Sequence, residues 1–144
     1  MTSQDSTMRI LHNVKINGNT YKNRVLDVGL DWLVKYILGE THSDTINYVA
    51  IGDDGGQTQP NATRLGNERF RKEFTDVRQS GDVAVFETFF TRDEANFHCR
   101  EAGLFRGGTS AQDSGTLIAR VRINENKTDT QTTTTTWEFS IRNA

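Results

Sequence analysis

Turn signals recur at short intervals along this chain, and the runs between them are rich in residues that favour strands. Asn17-Gly18-Asn19 follows a run of alternating apolar and polar residues, and Asn-Gly in that setting is the strongest short-range signal of a β-hairpin. Ser80-Gly81-Asp82 separates two further runs in the same way. The remaining strand-like runs lie at residues 46–51, 97–105, 117–123 and 131–141. We therefore expect a mainly β protein, an antiparallel β-sandwich with one helix.

The expected helix lies near the N-terminus, where the periodicity of apolar residues changes from two to about 3.6. Four apolar residues recur at the spacing of one helix face: Leu30, Leu33, Val34 and Ile37. Asp27 precedes them and is the expected N-cap, and Gly39 is a suitable stop. We predict one α-helix at about residues 28–38.

The length of 144 residues fits one domain, residues 1–144. Residues 1–7 are polar and are expected to form a flexible arm. Residues 8–40 are expected to form a hairpin plus the helix, and residues 46–141 the β-sandwich core. The net charge of −2 argues against nucleic acid as a partner, because phosphate binding needs a basic surface. No run approaches the ~18 apolar residues of a membrane span, so no membrane partner is expected.

The last expected strand contains five consecutive threonines, residues 132–136. Threonine is β-branched and favours strands, and Trp137 and Phe139 follow on one face while Glu138 lies on the other. A long strand is therefore favoured over disorder. It is expected either at an interface between subunits or as a solvated outer strand, and the sequence does not separate these two.

Residues that carry chemistry are scattered. His12, His42 and His98 lie on separate expected elements, and His98 and Cys99 are adjacent, so their side chains should point to opposite faces of a strand. Asp53-Asp54-Gly55-Gly56 resembles a calcium loop in composition but lacks the EF-hand spacing, and an ordinary acidic turn is favoured. We expect no enzyme activity, no catalytic residues, no cofactor and no metal site.

The second part of the chain resembles small bacteriophage tail and baseplate proteins and the N-terminal, collar-type domains of tail fibres. Tyr48-Val49-Ala50-Ile51-Gly52 resembles a hydrophobic strand of that family which ends in a glycine-rich turn. The other matching segments, in order, are Thr63-Arg64-Leu65-Gly66-Asn67-Glu68 with Arg71, Glu101-Ala102-Gly103-Leu104-Phe105, Gly115-Thr116-Leu117-Ile118-Ala119-Arg120, Lys127, and Trp137. The resemblance covers about two thirds of the chain.

The resemblance implies a virion structural protein that is made in the host cytoplasm and acts in particle assembly and attachment. It implies assembly with copies of itself, as a trimer or a ring, and with other phage virion proteins. No receptor-binding region follows Ile141, which favours a compact tail, baseplate or fibre-base part. The alternatives are a head or neck decoration protein, or a stand-alone receptor- or carbohydrate-binding β-sandwich that binds through residues 53–63 and 107–115.

Physical arguments attach to several of the matching residues. Glu68 and Arg71 are close enough in sequence to pair. Glu101 lies in an apolar run, so it needs a cation, and the expected source is the segment from Arg64 to Arg71, with Lys127 as a further possibility. Gly103 suggests a bulge or a close backbone approach. The structural and interface candidates are Glu68, Arg71, Glu101, Gly103, Lys127 and Trp137.

Overall fold

The computed structural model describes residues 8–40 and 44–143, and the side chains of residues 12–40 and 44–140. The expected arm at residues 1–7 and His42 lie outside these ranges. The described ranges contain nine strands and one helix, in the order β1 (Met8–Ile16), β2 (Asn19–Val25), α1 (Asp27–Ile37), β3 (Ile46–Gly52), β4 (Glu68–Glu73), β5 (Asp76–Ser80), β6 (Val83–Phe90), β7 (His98–Arg106), β8 (Thr116–Asn126) and β9 (Thr133–Asn143).

The nine strands form one antiparallel sheet in the order β4-β3-β7-β8-β2-β1-β9-β6-β5, which is curled into a half-barrel. The expected mainly β, antiparallel fold with one helix is confirmed, whereas the division into the two sheets of a sandwich is not. The reason lies in β2. Its first residues, from Asn19 to Lys22, pair with β1, and Asn23 to Val25 pair with β8, so this strand connects the two halves of the sheet.

Both expected hairpin turns are present. Asn17 and Gly18 have φ angles of 50° and 82°, the left-handed conformation that a type I′ hairpin turn requires at both central positions. The β1–β2 ladder closes on Ile16 opposite Asn19. Gly81 has a φ angle of 60° between β5 and β6.

The helix begins at Asp27 and ends at Ile37, one residue earlier at each end than expected, and the expected stop Gly39 follows with a φ angle of 84°. The expected cap is wrong: Leu26 is the N-cap and no side chain caps the helix. Backbone bonds fix this end instead, since Leu26 N donates to Ile118 O at 2.8 Å and Asp27 N donates to Pro60 O at 2.9 Å.

The apolar residues of α1 are mostly not covered. Gly29 is the buried helix residue, and a Cβ there would lie 2.6 Å from Ile118 O, so the helix crosses β8 at backbone distance. Trp32 and Leu33 are half-buried. Ile37, for example, is 72% exposed. The large exposed side chains of this segment are Val28, Leu30, Val34, Tyr36, Ile37 and Leu38.

The core lies on both faces of the sheet. The main cluster fills the inner face of the half-barrel and includes Val14, Phe90 and Trp137 from different strands. A smaller cluster lies on the outer face of β3, β7 and β8 and consists of Leu26, Ala50, Leu65, Phe105 and Leu117. Leu65 belongs to the loop at residues 53–67, so this loop covers the outer face.

The threonine-rich strand β9 lies inside the sheet, between β1 and β6. It is therefore not the outer strand that the sequence suggested as one alternative. Thr133, Thr135 and Trp137 are buried, whereas Thr134 is exposed and Thr136 half-buried. Alternation between a buried and a wetter face explains why so polar a run is stable as a strand.

Candidate functional site

The outer face of β7 carries a fully buried carboxylate, Glu101. Its Oε1 accepts from Arg120 Nε at 3.0 Å and from Gly66 N at 2.7 Å. Its Oε2 accepts from Asn67 N at 2.8 Å and from Asp54 N at 3.1 Å. The expected burial of Glu101 is confirmed. The expected cation is wrong: Arg120 on β8 supplies it, and the segment near Arg64 contributes backbone N–H groups.

Arg120 is buried as well and bonds the same loop from its other nitrogens. Its Nη1 donates to Gly56 O at 2.9 Å and to Thr58 Oγ1 at 2.7 Å, and its Nη2 donates to Asp54 O at 2.9 Å. The two side chains together bind both ends of the loop at residues 53–67. This ion pair therefore holds the loop against the sheet.

Gly52 shows how little space this arrangement leaves. Gly52 lies opposite Glu101 in the β3–β7 ladder. A Cβ at Gly52 would overlap both the Glu101 carboxylate and the Asn67 carbonyl oxygen. The glycine that ends β3 is therefore required so that the carboxylate can reach the loop.

A second buried ion pair, Glu68–Arg71, lies on the outer face and confirms the expected local pairing. Arg71 Nε and Nη2 donate to the two carboxylate oxygens, each at 2.8 Å, and both side chains are buried. Arg71 Nη1 also donates to Thr109 O at 2.9 Å and to Ser114 O at 3.0 Å, while Asp113 N donates to Glu68 at 3.2 Å. This pair holds the loop at residues 107–115.

The other candidate residues do not join these pairs. Lys127 is buried, and its Nζ donates to Asn96 Oδ1 at 2.7 Å, so it is not the cation for Glu101. Trp137 lies in the core of the inner face. Gly103 is approached by side chains rather than backbone: a Cβ there would lie 2.7 Å from Leu117 Cδ1. The β7–β8 ladder shifts register between Cys99 and Glu101 and again between Leu104 and Phe105, so neither shift falls at Gly103.

The described histidine and cysteine side chains do not form a reactive pair. His98 is exposed and bonded to Asn124, whereas Cys99 is buried, so the two side chains do point to opposite faces. Burial raises the pKa of the Cys99 thiol to about 11, which keeps it protonated and weakly nucleophilic near neutral pH. Burial also lowers the pKa of His12.

Residues 53–56 form a hydrogen-bonded acidic turn. Asp54 Oδ1 accepts from Gly56 N at 2.7 Å, and Asp53 Oδ1 accepts from Asn67 Nδ2 at 2.7 Å. The bond from Asn67 and the pair with Arg69 hold the pKa of Asp53 below its usual value. Among residues 8–40 and 44–143, no three His, Cys, Asp or Glu residues are grouped as a metal site requires.

An apolar groove of about 490 Å³ lies between α1 and the β5–β6 hairpin. Its lining is apolar apart from the hairpin side chains Gln79 and Asp82, and includes Val25, Trp32, Leu33, Ile46, Phe86, Ile118 and Phe139. Sequence reasoning missed this groove. One signal in the sequence could have indicated it: the helix that carries Trp32 has more apolar residues than one buried face needs.

The part of the chain that the structure describes contains no helix long and apolar enough to cross a membrane. Comparisons with protein-family models, with curated proteins and with solved structures find no match for this chain.

Proposed function

We propose that this chain is a non-enzymatic structural protein of a bacteriophage particle, a tail, baseplate or fibre-base component that assembles with copies of itself and with neighbouring virion proteins. The observation that carries the proposal is the uncovered apolar surface of α1. Six large apolar side chains are exposed within residues 28–38. Large exposed apolar side chains concentrated on one helix are typical of a surface that another protein covers.

The two buried ion pairs support the same role. Each pair fixes one long loop to the outer face of the sheet, so the loops keep one shape before any partner binds. A surface that is already ordered loses less conformational entropy when it binds. An assembly protein benefits from this because many identical contacts must form in one geometry.

Side-chain packing across the half-barrel supports a sandwich-like description of the fold as part of this proposal. Phe70 of β4 contacts Phe90 of β6 with ring centroids 5.9 Å apart, and Phe74 contacts Phe86 at 5.1 Å. The two halves of the curled sheet thus face one another over a common core, as the layers of a sandwich do.

The carbohydrate-binding alternative has less support. Residues 53–63 and 107–115 contain no Trp, Tyr or Phe, and aromatic rings are the usual platform for apolar sugar faces. These loops also direct much of their polar capacity inward, onto Glu101, Arg120 and Arg71. Fewer groups are left for a sugar.

The test is to purify particles of the virus that encodes this chain and to locate the chain in a cryo-EM map of them. We expect a fixed number of copies at the tail, the baseplate or the base of a fibre, with α1 against a neighbouring protein. A chain that is abundant in infected cells and absent from purified particles would overturn the proposal. Glycan or peptide hydrolysis that is lost on mutation of Glu68 or Glu101 would overturn its non-enzymatic part.

A further inference from the structure

The two edges of the sheet differ. At one edge, side chains of β4 contact other parts of the chain: Lys72 Nζ donates to Phe89 O and pairs with Glu94, both at 2.8 Å, and Arg69 lies over the Phe97 ring at 4.3 Å. At the other edge, β5 forms a ladder only with β6 among the described strands, and all five of its residues are exposed. An uncovered edge presents backbone groups to which another strand can bind.

β5 lacks several of the features that protect a sheet edge, although it is short and carries Asp76 and Arg78. Its sequence, Asp76-Val77-Arg78-Gln79-Ser80, contains no proline, no lysine and no glycine, and its register with β6 is unbroken. Val77, on the inner face opposite Phe86, is 58% exposed. Asp76 and Arg78 lie on the other face, where their exposed side chains pair with each other and Arg78 Nη2 lies 3.7 Å from Glu87 Oε2.

We propose that β5 is a self-association edge: it pairs antiparallel with β5 of a second copy, in the register centred on Val77. This inference rests on the proposed self-assembly and names its contact. A two-fold axis that relates identical antiparallel strands must pass midway between the two copies of one residue, because directly opposite residues share a face. A register centred on Asp76 would place the two aspartates opposite each other, and a register centred on Arg78 would place the two arginines opposite each other.

Centring on Val77 is the choice that makes β5 complementary to itself. Asp76 then lies opposite Arg78 of the second copy and Arg78 opposite Asp76, which gives two cross-strand ion pairs on one face. The two Val77 side chains meet on the other face, and each loses exposed apolar surface. Opposite charges across an antiparallel pair stabilise it, whereas like charges destabilise it. The contact is two-fold, so alone it gives a dimer, and within a larger assembly it joins two rings or trimers.

Cysteine cross-linking tests the register. In Val77→Cys the two new thiols lie on directly opposite residues with Cα atoms about 4.5–5.5 Å apart, which suits a disulfide. In Gln79→Cys, the matched control on the same face, the two Cα atoms are offset by four residues, about 14 Å along the strand at ~3.4 Å per residue. The native Cys99 is buried and stays in place. We expect a covalent dimer of the full chain from Val77→Cys and none from Gln79→Cys.

Charge reversal tests the pairing by a second route. In Asp76→Arg, the new arginine of each copy lies opposite Arg78 of the other copy. Both cross-strand pairs then change from attractive to repulsive, so dimerisation should weaken ~10-fold. Asp76→Arg with Arg78→Asp restores opposite charges and should restore the dimer. Sedimentation measures the association, and circular dichroism with a melting curve shows that each variant is folded.

The outcomes separate this inference from the proposed function. If the parent chain is oligomeric but Val77→Cys forms no covalent dimer, or if the double reversal leaves association as weak as Asp76→Arg does, β5 is not the contact, while self-assembly stands. If the parent chain is monomeric at high concentration and in the particle, the β5 contact and the proposed self-assembly are both overturned.

Discussion

The carboxylate of Glu101 and the guanidinium of Arg120 form an ion pair with Oε1 and Nε 3.0 Å apart, and both side chains are buried. The two residues lie on neighbouring strands, and a loop of about fifteen residues, 53–67, is bonded to both. Each charge is thus compensated by the other and by fixed peptide dipoles, which is the condition for burying charges without a large penalty.

Removing the Glu101 carboxylate should destabilise the protein strongly. In Glu101→Ala, Arg120 stays buried without its anion, and three backbone N–H groups lose their acceptor, so we expect a loss of ~3–5 kcal/mol in the free energy of unfolding. Glu101→Gln should lose less, because the amide keeps the shape and one acceptor oxygen. Urea unfolding measures both variants.

Glu73→Ala is the matched control for Glu101→Ala, since Glu73 is exposed on β4 of the same sheet. We expect it to change the stability by no more than ~0.5 kcal/mol. Equal stabilities of Glu101→Ala and Glu73→Ala would show that the buried pair contributes nothing to the fold.

The burial of Glu101 could be read from its sequence neighbours, whereas its partner could not. The run from Phe97 to Phe105 is apolar enough to indicate burial. Arg120 is 19 residues away, and its contact depends on β7 pairing with β8 and on the loop folding back, which are long-range events. The Glu68–Arg71 pair was predictable because its members are only three positions apart in the sequence.

Arg71 should matter through the loop at residues 107–115. In Arg71→Ala, Glu68 stays buried without a cation and the loop loses its bonds to the guanidinium, so we expect ~3–5 kcal/mol of destabilisation. Arg71→Lys keeps the charge but cannot form the two-pronged contact, so it should lie between Arg71→Ala and the parent.

Hydrogen exchange gives a local measurement of the same effect, because Asp113 N donates to Glu68. Protection of the Asp113 amide should fall in Arg71→Ala. Arg64→Ala serves as the control, since Arg64 is exposed in the same segment of the chain. Loss of protection in both variants, or in neither, would contradict the assigned role of Arg71.

The class of the fold and most strands could be predicted because turn residues and apolar alternation are local signals. Asn17-Gly18 and Ser80-Gly81 mark hairpins that the structure contains. The single curled sheet could not be predicted, because it depends on β2 changing its neighbour after Lys22, and nothing in residues 19–25 marks that change. The exposed face of α1 was missed for a related reason: apolar periodicity predicts a covered face without saying which chain covers it.

A side chain at Gly103 should destabilise the protein. A Cβ at this position would lie 2.7 Å from Leu117 Cδ1 and 2.9 Å from Leu65 Cδ2, both in the core beneath the loop at residues 53–67. Gly103→Ala therefore overpacks this core, and we expect a loss of ~1–3 kcal/mol. Gly55→Ala is the control, because the nearest atom to its Cβ would be Arg100 Cδ at 3.5 Å. A thermal melt in which the two variants match would contradict the close packing at Gly103.

His12 should make the stability depend on pH in a narrow range. Burial lowers the pKa of its imidazole below the ordinary value of 6.5, so in that range the unfolded chain binds a proton that the folded chain does not. This contribution is complete above pH 6.5 and is lost as the pH falls from 6.5 through the lower pKa of the folded state, with a slope of at most ~1.4 kcal/mol per pH unit. His12→Gln should remove this slope from urea-unfolding curves recorded in that range. His98→Gln, at an exposed histidine, should keep it, and a slope unchanged in His12→Gln would assign the pH dependence to another group.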